Sequence, residues 1–233
     1  MKPFYFGTKD RRLFAVYEAA QDRGGPARAA VLCNPLGDEQ IFAHRTLRQL
    51  SARLSRAGFH VLRFDYWGTG DASGEAEKID VAGWCDDVET AVQEIAGMTG
   101  AAGVTLAGLR LGANVAARAA ARSRAIDKLV LWEPFLAGDL APACDRIVAE
   151  LAQPSIPVLP ASREDLAQLQ IEPQIDRLPR QTLLVLMGEA AHARGLETLE
   201  VAHTADAIPW IEERTVTGTV PAEALRRIVS WLE

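Results

Sequence analysis

Five residues near the middle of the chain, Gly108-Leu109-Arg110-Leu111-Gly112, place a guanidinium at the centre of a Gly-x-Arg-x-Gly run. With a serine at the centre, a run of this shape presents a nucleophile on a sharp strand-to-helix turn. Arginine stays protonated and cannot attack a carbonyl, so the same turn would present a fixed cation. The flanks support such a turn. Gly103-Val104-Thr105-Leu106-Ala107 is apolar and β-prone, and Ala113 to Arg122 is alanine-rich and helix-favouring. Glu133 is the second candidate, because it follows a predicted strand, Lys128 to Trp132, and emerges at the same carboxyl end of the sheet. It reads either as a catalytic carboxylate or as the partner that neutralises Arg110, and pairing is the favoured reading.

The elements that must position these residues alternate between strand-like and helix-like patterns, as in an α/β fold with a mostly parallel, doubly wound sheet. An opening hairpin is expected from Lys2 to Phe6 and Arg12 to Glu18. A buried strand follows at Ala29 to Asn34, then an amphipathic helix from Phe42 to Ala57 ended by Gly58, and a strand from His60 to Asp65. The next helix spans Val81 to Met98 with Asp80 as its N-cap. Later strands are expected at Thr182 to Met187 and Trp210 to Val216, with a helix of undefined limits between them and a closing helix from Pro221 to Leu232. The alternation breaks between Pro134 and Arg180, where Pro154, Pro157, Pro160, Pro173 and Pro179 interrupt short helical patches. Apolar Phe135, Leu136, Ile147, Val148 and Leu151 favour something that packs, so residues 134–180 are read as a small lid inserted in one domain spanning 1–233.

Composition bounds the function classes. With 233 residues, 48% of them hydrophobic, and a formal charge of −6, the chain reads as one globular domain without a general attraction to nucleic acid. No apolar run is long enough to cross a bilayer, and Met1-Lys2-Pro3-Phe4-Tyr5 does not open a signal peptide, so a cytoplasmic location is expected. Cys33, Cys85 and Cys144 are scattered without a CxxC pair, which argues against structural zinc and a disulfide framework. No cofactor is expected. The Gly68-x-Gly70 run lacks the third glycine of a dinucleotide fingerprint and reads with Asp65 and Asp71 as a tight turn with capping carboxylates. His44, at a helix start, is a candidate for polar contact with a ligand, with capping or packing as the plainer role. Trp67 and Trp132 either line a pocket or fill core gaps.

Taken together, Cys33 to Glu39, His44-Arg45, the run Arg63-Phe64-Asp65-Tyr66-Trp67-Gly68-Thr69-Gly70-Asp71-Ala72-Ser73-Gly74, and Gly108 to Gly112 resemble the α/β-hydrolase superfamily. They are most similar to the serine-aminopeptidase-like hydrolases found beside exosortase systems and in some polyketide or peptide biosynthetic clusters. That resemblance implies an α/β-hydrolase fold and a nucleophile elbow at residues 108–112. It also implies an oxyanion hole built from the amide of Leu111 and one from Leu36 or Gly37. Such donors survive the loss of serine, and Arg110 would add a bidentate grip on a carboxylate. Against the family pattern, Gly188-Glu189-Ala190-Ala191-His192 has alanines where an acid is expected, and Val216 to Pro221 holds no histidine. His192 and His203 lie upstream and read as polar surface residues.

Three readings follow. The first is an enzyme that uses the oxyanion hole and Arg110 on an acyl- or carboxylate-bearing small molecule, with Arg110 and Glu133 as catalytic groups and Leu36, Gly37, His44, Trp67 and Leu111 contacting the ligand. The second is a catalytically silent relative that binds such a ligand or a carrier protein. The third is an esterase or thioesterase with a nucleophile relocated to Cys33, Ser73 or a lid residue such as Ser162. No base is visible beside any of these three, which makes the third reading the least attractive.

Overall fold

A computed structural model describes residues 1–21, 24–37, 39–75, 80–136, 140, 142, 168–187, 196–201 and 220–233. Their strands are β1 (Lys2–Gly7), β2 (Arg12–Glu18), β3 (Arg28–Cys33), β4 (Phe59–Asp65), β5 (Val104–Leu109), β6 (Ile126–Trp132), β7 (Gln181–Met187) and β8 (Glu197–Val201). They form one sheet in the order β1-β2-β4-β3-β5-β6-β7-β8. The hairpin β1–β2 is antiparallel and joins antiparallel to β4, and every other pairing is parallel.

Period-2 patterning sorts the central strands onto two cores. Val31, Cys33, Leu106, Leu129 and Leu131 face one core with α2 (Val81–Thr99) and α3 (Leu111–Ala120). Leu32, Leu109, Val130 and Trp132 face the other with α1 (Glu39–Arg56) and α4 (Ala222–Leu232). The fold class is therefore the doubly wound α/β sheet that the alternation implied. Trp132, 1% exposed, is core rather than pocket lining.

Boundaries moved where local chemistry shapes an end. Asp80 caps α2 as expected, accepting from the Gly83 amide at 2.5 Å, and Gly100 closes the helix in the left-handed conformation at φ 71°. Helix α1 starts three residues earlier than expected, at Glu39, after a turn at Gly37 (φ 69°) whose carbonyl accepts from the Gln40 amide. Helix α3 begins directly at Leu111. Strand β8 is a correction, because Glu197–Val201 falls in the stretch expected to be helical, and it pairs parallel to β7 instead. Tertiary pairing overrides the helix preference of its two glutamates. The expected strand from Trp210 to Val216 lies outside the described residues. So does most of the expected lid, although Pro134 to Leu136 and a 3-10 turn at Glu172–Arg177 bracket it in chain order between β6 and β7. Among the described residues, no helix is long and apolar enough to cross a membrane.

The order of strands fixes where a site can form. The chain leaves β3 for β4 on one side and then returns to β5 on the other, so β3 and β5 meet at a topological switch point with their carboxyl ends adjacent. Two glycines allow the turn after β5 to pack there. A Cβ on Gly108 would approach within 2.5 Å of Ala113 Cα, and one on Gly112 would run into the carbonyl oxygens of Asn34 and Cys33. Gly112→Ala is therefore expected to destabilise the chain by at least about 1–3 kcal/mol, since the obstruction is backbone and cannot rotate away. A urea midpoint indistinguishable from wild type would contradict that packing.

Candidate functional site

The turn between β5 and α3 is completed within a single residue. The Arg110 amide still donates in ladder fashion to the Trp132 carbonyl at 2.9 Å, while the Arg110 carbonyl already accepts from the Ala113 amide at 2.9 Å. Arg110 is left at φ 55° and ψ −128°, a conformation costly for any residue with a Cβ. Among the described residues, Glu133 at φ 47° is the only other non-glycine with positive φ. It follows β6, the neighbour of β5, and its amide donates to the Val185 carbonyl at 2.8 Å. Two strained residues of opposite charge thus stand side by side at the carboxyl edge.

The guanidinium of Arg110 is held on three sides. Its Nε lies 3.3 Å and 3.4 Å from the two carboxylate oxygens of Glu39, and Nη2 donates to Glu39 Oε1 at 3.2 Å. Nη1 stands 3.9 Å from Glu133 Oε2, close enough for an ion pair but too far for a hydrogen bond. The Phe135 ring lies beneath, 4.3 Å from the guanidinium carbon, in cation–π contact. Side-chain exposure is 16% for Arg110, 16% for Glu39 and 13% for Glu133, so the cluster is partly dry but touches solvent. The pairing expected of Glu133 is present as the longer contact. Glu39 provides the closer one, and sequence reasoning missed it as a site residue. Its signal was its place at the start of the helix that follows the loop after β3, which the switch point sets beside β5.

Phe135 is positioned by a buried amide. Asn114, one turn into α3 and fully buried, accepts from the Phe135 amide at 3.0 Å and donates to the carbonyls of Phe135 at 2.8 Å and Leu169 at 3.0 Å. It thereby ties both described flanks of the β6–β7 connection to the helix that begins just after Arg110.

The other candidates are distributed as follows. Leu111 is the first residue of α3, where an amide has no intrahelical acceptor, and its side chain is buried. Leu36 is 2% exposed in the loop after β3, and Gly37 forms the turn into α1. His44 is exposed on α1; partial desolvation, then Arg63, lowers its imidazole pKa, which Asp65 partly offsets. Trp67 packs elsewhere than Arg110. Its ring lies 5.0 Å from the Arg11 guanidinium carbon and against Gly74, and its amide donates to buried Asp87, which pairs with Arg11 at 2.6 Å. Burial pushes the Cys33 thiol up to about 12 and the Cys85 thiol up to about 11, so neither supplies a thiolate near neutral pH. The Ser73 hydroxyl is engaged with the Arg12 backbone, donating to its carbonyl at 2.9 Å and accepting from its amide at 3.0 Å. His192, His203 and Ser162 lie outside the described residues. Among the described residues, no group of three His, Cys, Asp or Glu side chains is placed to hold a metal ion.

Asp65 joins the turn after β4 to the floor of the site. Its carboxylate accepts from Asn34 Nδ2 at 3.4 Å, Gln40 Nε2 at 3.1 Å and the Asp71 amide at 3.1 Å, which matches the expected turn carboxylate. Burial raises its pKa, and the Asp71 amide acts in the opposite direction.

Comparison with known proteins agrees with this architecture. Residues 43–207 match the family described as serine aminopeptidase, S33, and the chain belongs to that family of α/β hydrolases. An esterase from Pyrococcus furiosus superposes with a TM-score of 0.66 at 16% identity, covering 99% of this chain and 89% of that one. Est1E from Butyrivibrio proteoclasticus, solved with ferulic acid bound, gives a TM-score of 0.66 at 15% identity, covering 97% and 95%. The enol-lactonase from Burkholderia xenovorans LB400 gives 0.60 at 17% identity, covering 98% and 99%. At these identities the likeness establishes the fold. Comparison with curated protein sequences finds no match.

Arg110→Ala would leave Glu39 and Glu133 facing each other without their cation. It is expected to lower stability by about 1–3 kcal/mol, less than the about 3–5 of a fully buried pair because all three side chains touch solvent. Arg110→Gly removes the same charge but also the backbone strain, and should unfold later than Arg110→Ala by about 1–3 kcal/mol. Equal melting temperatures for wild type and both variants would contradict the account.

Because the Asp65 carboxyl in the folded chain titrates above its usual 3.8, the folded state holds that proton more tightly than the unfolded state. Its contribution to stability is complete below that usual value and is lost as pH rises through the folded value. Asp65→Asn should remove this fall, so the difference in urea midpoint between the two proteins should change in the mutant's favour from about pH 4 to about pH 7. A pH-independent difference would refute it.

Proposed function

We propose that this S33-family chain binds and acts on an acyl- or carboxylate-bearing small molecule at the carboxyl edge of its sheet, without a serine nucleophile. In this reading the β5–α3 turn is the nucleophile elbow of the fold, and Arg110 replaces the attacking hydroxyl. The observation that carries it is the conformation of Arg110. Its φ of 55° directs a restrained guanidinium to the switch point from a turn that also leaves the Leu111 amide at the start of a helix.

The chemistry assigned to each group follows from its charge and place. The Leu111 amide, with one from Leu36 or Gly37, is the donor pair for a carbonyl or developing oxyanion, assisted by the positive end of α3. Glu39 occupies Nε and Nη2 of Arg110, whereas among the described residues Nη1 makes only the long contact with Glu133. Nη1 is therefore the edge from which a ligand carboxylate or carbonyl would be gripped. Glu133, standing across that gap, is the group to take a proton from a water or from the ligand. Preorganisation by Glu39 and Phe135 would spare the guanidinium reordering during the reaction. Among the described residues, the buried thiols of Cys33 and Cys85 stay protonated near neutral pH and offer no nucleophile for a covalent acyl intermediate. The resemblance to biosynthetic-cluster hydrolases supports a pathway metabolite, free or delivered on a carrier protein, as the ligand.

A second reading has its own support. Two carboxylates already neutralise Arg110, so the cluster could serve as a structural plug in a catalytically silent binding module. Turnover of a carboxylate or ester ligand separates the two readings.

A fluorophosphonate probe, which reports an activated serine, should leave the chain unlabelled, and labelling would overturn the proposal. Calorimetric binding of short-chain carboxylates should weaken at least about tenfold in Arg110→Ala, as expected for loss of a charge-assisted hydrogen bond. Arg110→Lys should fall between, because an ammonium cannot span two oxygens in the same way. Unchanged affinity in both variants would remove Arg110 from the site.

A further inference from the structure

The outer face of α1 carries a second feature, unrelated to the elbow chemistry. Arg45, Arg48, Arg53 and Arg56 line a cavity of about 390 Å³ together with Gln49, Ala52, Met1 and Glu18. Among the described residues, none of these four arginines has an ion-pair or hydrogen-bond partner. This is unexpected in a chain of net charge −6, where carboxylates outnumber basic groups. The single acid of the cavity, Glu18, is engaged by the Ser51 hydroxyl at 2.7 Å. Arg63, 9% exposed, interacts electrostatically with the cavity residues Glu18 and Arg48, and its buried Nε has no hydrogen-bond partner among the described residues. A concentration of like charge of this kind raises the free energy of the empty state and is relieved by a bound anion.

The geometry points to a binding site for a phosphorylated small molecule carrying at least two negative charges, seated on Arg45, Arg48, Arg53 and Arg56. One carboxylate would satisfy one or two of the forks, whereas a diphosphate offers oxygens enough to engage all four in charge-assisted hydrogen bonds. The volume is that of a small-molecule pocket. A neighbouring cavity of about 370 Å³ shares Arg53 and Arg56 and continues to Arg226 and Ser230 on α4. There Arg226 is already paired with Glu223 at 2.6 Å, so the anionic groups belong on the α1 side and the remainder of the ligand lies toward α4.

Inorganic pyrophosphate is the probe. Titrated at matched ionic strength, it should raise the melting temperature saturably and bind at least tenfold more tightly than orthophosphate or sulfate. Arg48→Glu/Arg53→Glu should weaken it at least tenfold, and the milder Arg48→Gln/Arg53→Gln pair should show the same direction while testing that the fold is intact. Arg110→Ala should leave it unchanged, so failure here and failure of the elbow proposal are distinguishable. Pyrophosphate binding no better than that of sulfate, or binding that persists in both double variants, would overturn the site. So would sedimentation with phosphatidylglycerol vesicles in the absence of any pyrophosphate binding, which would make the face a lipid-headgroup surface instead.

Discussion

The contact on which the architecture turns is the one between the first turn of α3 and the carboxyl end of β3. At Gly112 the helix backbone lies so close to the carbonyls of Cys33 and Asn34 that no Cβ fits, and at Gly108 the strand is equally close to the helix it feeds. These two approaches leave one residue in which the chain must change from strand to helix. The positive φ of Arg110 is the consequence, a cost of about 1–3 kcal/mol absorbed by the surrounding packing. Because the constraint is set by backbone proximity, the amide at Leu111 would stand at the switch point whatever side chain occupied position 110.

The charges gathered around that turn are balanced by more than ion pairing. One guanidinium faces two carboxylates, which leaves the cluster one negative charge in excess in a partly dry environment. The positive ends of two helices supply the remainder. Glu39 lies in the first turn of α1, and α3 begins at Leu111 immediately beyond Arg110. Asn114 then couples this balance to the β6–β7 connection by fixing the Phe135 backbone, which in turn holds the ring under the guanidinium.

The sheet was legible from the sequence because its central strands are short apolar runs bounded by turn signals, and the α2 cap was legible because Asp80 precedes an apolar repeat at helical spacing. The Arg110 turn could be read from glycine spacing, since backbone proximity leaves its trace in residue type. Glu39 could not be assigned in the same way. Its pairing with Arg110 depends on β3 lying beside β5 and on α1 starting three residues early, and both are properties of the folded arrangement. Strand β8 was missed for a related reason: five residues with two glutamates carry little β signal until β7 offers an edge. Trp67 illustrates the converse, because an aromatic residue after a central strand suggests a ligand surface, whereas here Arg11, Gly74 and Asp87 enclose it.

The chemistry open to this edge is narrowed by what its hydroxyls and thiols already do. Cys33 is the described thiol nearest in sequence to the loop bearing Leu36 and Gly37, yet it sits fully buried within β3, and ionising it would place a thiolate among apolar side chains. Ser73 is committed in both directions to the Arg12 backbone, a contact that closes the turn after β4 against the β1–β2 hairpin. Using either as an attacking group would require breaking a contact that holds the fold together. The carboxylates of Glu39 and Glu133 share as partner a cation that cannot itself accept a proton. Under the proposed function, bond-making at the switch point through these described groups would run through a carboxylate and a solvent or ligand oxygen, with the backbone amides and Arg110 stabilising the charge that develops.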